Sequence, residues 1–436
     1  MDQLEQRTMK KVFWHLIPFL MFCYFFNFLD RVNVSFAALD MNKDLGFSAS
    51  VFGFGSGILF VAYMLCETPS NLLLVKYGAR KWLARIMVSW GIIAASMMFI
   101  TNETNFYIVR VLLGVAEAGF FPGIIFYLTM WFPGAYRGRV TGLFMACIPL
   151  SSAIGSPLST SLLYLDGMMG LKGWQWLFLL EAIPSVLLGF MTWFYLTDRP
   201  SEARSWLAAD ERAWLDARIT AEHQRKQDSG HGMSVLETLG NPKVLALSVV
   251  AYTIASLLLG VGFFLPQIVK GFGLSNMQTG LVAIIPPAFG AVAMILWGRR
   301  SDRLMERKFH LTSAMVLAAA GVAAAAVIDD PVLKMVCFTL SAMGLNASLP
   351  VFWTLAPNFL TGASAAAGIA FINSVAALGA FVAPWLLGYV KDQTGNFTYG
   401  LLALAAMVVG GAVIVMFMDH DTALEQPPEG RTAHFA

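Results

Sequence analysis

Six ionisable residues stand inside long apolar stretches of this sequence: Asp30, Arg31, Glu67, Arg110, Glu117 and Glu181. A charge in such surroundings is costly and needs a partner or a task. Arg31, in NFLDRVNVSF, suits a carboxylate, because a guanidinium fork matches that group bidentately. Asp30 points about 100° away around a helix. It can therefore partner a different segment or carry a proton; an interfacial Asp30–Arg31 ion pair is the blander alternative. Arg110 and Glu117, in RVLLGVAEAGFFPG, are seven apart and share one helical face. Gly114, Ala116, Ala118 and Gly119 flank Glu117 and allow close helix approach. A carboxylate so placed could load and release a proton as its partner changes, or form a static salt bridge. Glu67, in LCETPSNLLL, and Glu181, in LFLLEAIPS, suit structural or gating ion pairs, Glu67 to an arginine at the nearer surface.

Neutral groups give weaker signals. Tyr63 lies about one turn before Glu67 and could face a cavity. Ser256, Gln267, Asn346, Trp353, Thr354 and Asn373 interrupt apolar runs in the second half, and Asn373 is the best placed to touch a substrate. All this is the chemistry of binding an anion and moving a proton, without a covalent step. The six histidines form no pair within the apolar runs, and Cys23, Cys66, Cys147 and Cys337 form no CxxC motif. They read as small core residues, and no metal site is expected. No phosphate-cradling glycine loop is present.

The elements that must hold these residues follow from hydropathy. Of 436 residues, 57% are hydrophobic and only 13% charged. That excludes a soluble enzyme and a disordered chain. Spans are expected near 13–38, 51–75, 83–100, 106–131, 139–162, 175–197, 244–268, 279–298, 311–328, 332–356, 365–388 and 398–418. The expected fold is an all-α polytopic membrane protein with twelve transmembrane helices in two six-helix bundles. The divisions are a first bundle at 1–200, a central loop at 201–242 and a second bundle with tail at 243–436. The first span is read as uncleaved. One or two amphipathic helices are expected in the loop, where His223 and His231 read as solvated. Of the 29 basic residues, 22 fall on the surface shared by both termini. The positive-inside rule then places both termini in the cytoplasm. A net charge of +2 gives no nucleic-acid signature.

The halves echo one another at an offset near 227. NLLLVKYGARKW, from Asn71 to Trp82, matches GRRSDRLMERKF, from Gly298 to Phe309. Phe144 and Pro157 in the first half match Phe371 and Pro384 in the second. Repeated bundles around a midplane cavity are the build of alternating-access carriers.

Three stretches, FLDRVNVSFAAL (Phe28 to Leu39), LLGVAEAGFFPGIIFYLTMWFP (Leu112 to Pro133) and GWQWLFLLEAIPSVLLG (Gly173 to Gly189), carry a resemblance. Over essentially its whole length the chain resembles the major facilitator superfamily. More narrowly it resembles the anion:cation symporter family, with its tartrate, galactonate and phthalate carriers. The superfamily's loop pattern persists at Gly298, Asp302 and Arg303. The first-half loop departs from it, with Asn71 for glycine and Val75 for aspartate, while Lys76, Gly78, Arg80 and Lys81 remain. The resemblance implies a carrier of the bacterial inner membrane that imports a small organic anion with protons. It implies no cofactor beyond the transmembrane proton gradient, a lipid bilayer around a monomer, and no nucleic-acid partner. By the same resemblance Asp30 and Glu117 couple protons and Arg110 supports them. Arg31 engages the substrate carboxylate, Tyr63 lines the site and Asn373 touches substrate. Trp353 joins the expected site by its place near the cavity. A tartrate-like hydroxylated acid is favoured; aromatic carboxylates, sodium coupling and exchange stay open.

Overall fold

The computed structural model describes residues 3–228, 235–304, 306–355 and 362–418. Among these there is helix and no strand. Twelve helices are long and apolar enough to cross a membrane, and we number them α1 to α12. The first six are α1 (Gln3–Leu45), α2 (Ala49–Tyr77), α3 (Ala79–Phe99), α4 (Glu103–Trp131), α5 (Val140–Leu165) and α6 (Gly173–Tyr195). The second six are α7 (Pro242–Lys270), α8 (Asn276–Ser301), α9 (Lys308–Val327), α10 (Pro331–Leu355), α11 (Gly368–Thr394) and α12 (Thr398–Phe417). At 1.5 Å per residue, even the 20-residue α9 spans about 30 Å, the depth of a hydrocarbon core. Outward-facing Ile92, Phe190, Phe194, Val413 and Phe417 are exposed, as a lipid-facing surface requires.

Local signals set the helix ends. Gly46 closes α1 in a left-handed conformation, φ 70°. The Ser48 hydroxyl accepts the Val51 N–H at the start of α2. Ser275 and Gln278 form a reciprocal capping box on α8. Asn241 and Pro242 start α7. The expected spans and these helices agree to within a few residues except that α1 begins ten residues earlier and ends at Leu45 rather than near 38, and α11 runs on to Thr394 rather than ending near 388. The polar first turns of α1 are held by the central loop rather than by lipid. There, Arg7 and Lys11 donate to the buried Glu211 of the loop helix Ala209–Asp228. Burial alone would raise the Glu211 carboxyl; Lys11, the Ala208 N–H and Arg7 together hold it below its ordinary range. Arg137 ties the same helix down through Glu222 at 2.8 Å. His231 lies outside the described residues, as does the side chain of His223.

The halves meet closely at the end of the bundle away from the N-terminus. Backbones of α2 and α11 touch there: a Cβ on Gly57 would lie 2.6 Å from the Phe381 carbonyl oxygen. Gly53 against Pro384 and Gly388 against Ala49 repeat the contact. Asp392 of α11 accepts the Ala49 and Ser50 N–H groups at 3.0 and 2.8 Å, capping α2 from across the interface. Asn276 of α8 donates to Asp40 of α1 at 2.8 Å, and Lys270 donates to Asn276. Toward this end the halves enclose a cavity of about 120 Å³ whose lining includes Phe28, Ser152, Leu257 and Asn346.

Candidate functional site

Two helices of the first half are broken where the charges sit. The first segment of α1 ends at Val32, one residue after Arg31, and helix resumes at Val34. The first segment of α4 ends at Glu117, and Phe120 starts the next. Between them Gly119 has φ 85°, a region that favours glycine. A Cβ there would lie 2.5 Å from the Ser70 Oγ of α2, so the site admits nothing larger.

Arg31 and Glu117 meet at these breaks as an ion pair. Glu117 is 2% exposed, and its Oε1 also accepts the Asn27 Nδ2–H at 2.7 Å. The Arg31 guanidinium lies over the Phe60 and Tyr63 rings, 5.6 and 5.4 Å from their centroids. Its Nε–H has no hydrogen-bond partner among the described residues. One donor edge of this arginine is therefore committed and one is not.

The other charges go elsewhere. Asp30 is buried, and its Oδ2 accepts the Trp90 indole N–H of α3 at 2.8 Å and the Ser185 hydroxyl of α6 at 2.6 Å. Arg110 shares a face with Glu117 but donates to the backbone carbonyls of Gly55 and Ser56 at 3.2 and 3.0 Å. Arginine is thus spent on the polar backbone of α2, where glycines leave carbonyls within reach. Glu181 accepts from Ser159 at 2.6 Å. Glu67 accepts from Asn373 Nδ2 on both oxygens, at 3.0 and 2.9 Å. Ion pairs were the expectation for both glutamates; among the described residues each is met by a neutral donor instead.

Glu67 and Asn373 sit together on a cavity of about 460 Å³ between the halves. Trp353, Phe121, Ile125 and Ile369 supply much of its apolar wall, and Thr68, Asn71, Thr141 and Ser374 its remaining polar groups. Tyr63, one turn along α2 from Glu67, links this cavity to Arg31. Arg31, Tyr63, Glu67, Asn373 and Trp353 are thus neighbours, whereas Asp30, Arg110 and Glu181 lie in the packing behind them. No group of three or more potential metal ligands occurs among the described residues.

The loop residues are separate from this cavity. Asp198 of the α6 end accepts the Arg80 N–H at 2.8 Å, supplying at α3 the carboxylate that Val75 does not. Val75 and Lys81 face outward. Gly298 packs on Pro350, and Arg303 is exposed; the Asp302 side chain lies outside the described residues. Sequence reading missed Asn27, Trp90, Ser185, Ser159 and Asp198 as partners. Asn27 alone carried a signal, one turn before Arg31 on the same helix face.

The family model described as Major Facilitator Superfamily matches residues 20–384 and, again, 247–435. A relative from Agrobacterium vitis, whose name proposes tartrate transport, is 47% identical over 99% of this chain and 95% of its own. A quinolone resistance transporter of Acinetobacter baumannii is 38% identical over 94% of each chain. The partially occluded inward-open xylose transporter XylE from E. coli superposes with a TM-score of 0.73, at 14% identity. It is covered over 99% of its length by 93% of this chain.

Proposed function

Given that the chain belongs to the Major Facilitator Superfamily, we propose that it imports a small organic anion by proton symport. Membership makes it a membrane-embedded transporter of small organic solutes, and not an enzyme. The finer reading places it in a bacterial inner membrane with both termini in the cytoplasm, and takes a tartrate-like hydroxylated carboxylate as cargo. The observation that carries it is Arg31: a largely buried guanidinium with an uncommitted Nε–H, held over two aromatic faces.

In this reading Arg31 engages the substrate carboxylate, with Tyr63, Asn373 and Trp353 completing the site. Substrate competes with Glu117 for Arg31. Protonation of Glu117 releases the arginine, so anion and proton load together. Asp30 holds the second proton-coupling position behind α1, and Arg110 fixes α4 against α2 so that Glu117 keeps its place. The bundles 1–200 and 243–436 then rock about the loaded site. The apolar wall made by Trp353, Phe121 and Ile369 supports a second reading, an aromatic carboxylate as cargo.

Uptake by proteoliposomes tests the function. With an inward proton gradient, a panel of hydroxylated and aromatic acids should yield one that accumulates above its outside concentration. Glu117→Gln should abolish gradient-driven accumulation while leaving exchange of the anion across the membrane. Full accumulation by that variant would overturn the role of Glu117.

A further inference from the structure

Glu67 is a carboxylate inside a cavity read here as a site for carboxylates. Both of its oxygens are taken by one donor, the Asn373 amide, which comes from the other half of the molecule. This is the contact that a substrate carboxylate or hydroxyl would make with Asn373. Building on the anion-carrier reading, we propose that Glu67 is an internal stand-in for the substrate, holding Asn373 until a proton on Glu67 hands that amide to the incoming anion.

The argument rests on acceptors and donors. An ionised carboxylate only accepts. While Glu67 is ionised it occupies Asn373 through a charge-assisted bond, and it repels a second carboxylate beside it. Protonated, it loses that charge and gains an O–H. The same side chain then donates to the anion in place of opposing it. The proton is taken from cavity water on loading and returned to it after release, when Glu67 recaptures Asn373. Groups that face Glu67 are few. Arg31 lies near enough to act on its charge, and Tyr63 lies one turn away on α2, itself near Glu117. From α4, α5, α10 and α11 the described lining is neutral: Phe121, Pro122 and Ile125, Thr141 and Met145, Trp353, then Ile369, Ala370, Asn373 and Ser374.

Because Glu67 and Asn373 belong to opposite halves, the exchange has a mechanical side. An ionised Glu67 draws α2 and α11 together near the cavity. A protonated one bound to substrate passes the tie through the cargo.

The test is the pH dependence of KM for the anion that the uptake panel identifies, with L-tartrate as the first probe. One obligatory co-bound proton contributes about a tenfold rise in KM per pH unit above its titration, by linkage. Glu67→Gln keeps the amide-sized side chain and removes that proton. Its slope of log KM against pH should be lower than that of the unchanged protein by about one, so that the variant binds the anion more tightly at pH 8. Glu67→Asp, which keeps the acid, should retain the slope even if overall uptake falls, and it serves if the glutamine variant fails to reach the membrane. An unchanged slope in Glu67→Gln, or a lost slope in Glu67→Asp, overturns the role of Glu67 and leaves the carrier reading standing. A full-length protein that takes up no organic acid of the panel overturns both.

Discussion

Arg31 is the residue on which recognition turns, and its neighbours say why it is arginine. The guanidinium lies over the Phe60 and Tyr63 rings while one N–H edge meets Glu117. Lysine would keep the charge but lose the fork. Arg31→Lys should therefore raise KM for the transported anion by about tenfold to a hundredfold, the range of one charge-assisted hydrogen bond. Uptake kinetics at fixed pH check this; a KM within twofold of the unchanged protein would remove Arg31 from the binding site. The identity of such charged residues was legible in the sequence, because a charge in an apolar run announces itself. Their partners were not. Trp90 and Ser185 meet Asp30 from helices 60 and 155 residues away in sequence. Asn373 meets Glu67 across 306 residues. Neutral donors look like ordinary core residues until the fold brings them to a carboxylate. The reading of Arg110 shows the converse: helical spacing put it on the face of Glu117, yet buried backbone carbonyls on α2 claimed it.

Helix α4 shows how one residue shapes an element. At Ala118–Gly119 the chain leaves the helical path and returns, so Glu117 ends one segment and Phe120 begins another. Gly119 makes this possible twice over, by its positive φ and by its closeness to Ser70. The Ser70 hydroxyl in turn accepts the Trp82 indole N–H at 3.0 Å, so α2, α3 and α4 are joined at this point. Gly119→Ala should cost on the order of 1–3 kcal/mol in stability, as expected for a side chain forced into the left-handed region. A thermal midpoint in detergent several degrees lower, with reduced uptake, is the expected result; an unchanged midpoint would mean the break tolerates a side chain. Hydropathy gave the span and its position, and small residues around Glu117 signalled close packing. The break was not legible, since apolar periodicity runs through it without interruption.

At the scale of the whole molecule the halves are closed at one end and separated by a cavity nearer the other. Asp392 makes the closure partly electrostatic, because its carboxylate sits on the positive end of α2 while belonging to α11. Losing those bonds should weaken the closed end by on the order of 1–3 kcal/mol. Asp392→Ala should then admit solvent there. In a protein whose four native cysteines are replaced, a cysteine introduced at Ser152 should react several-fold faster with an impermeant maleimide. No change in labelling would show that the apolar contacts alone hold this end. The repeat and the twelve spans were enough to expect two bundles, but which ends touch depends on contacts between residues 236 to 343 apart. The touching surface of α2 and α11 has a further property. Where Gly53, Gly57 and Gly388 lie, main chain rests largely on main chain, with few side chains between them to withdraw. Such a joint is tight against leaks yet adds little adhesion at those points: it denies ions and water a path when shut, and re-exposes little oily surface when it parts.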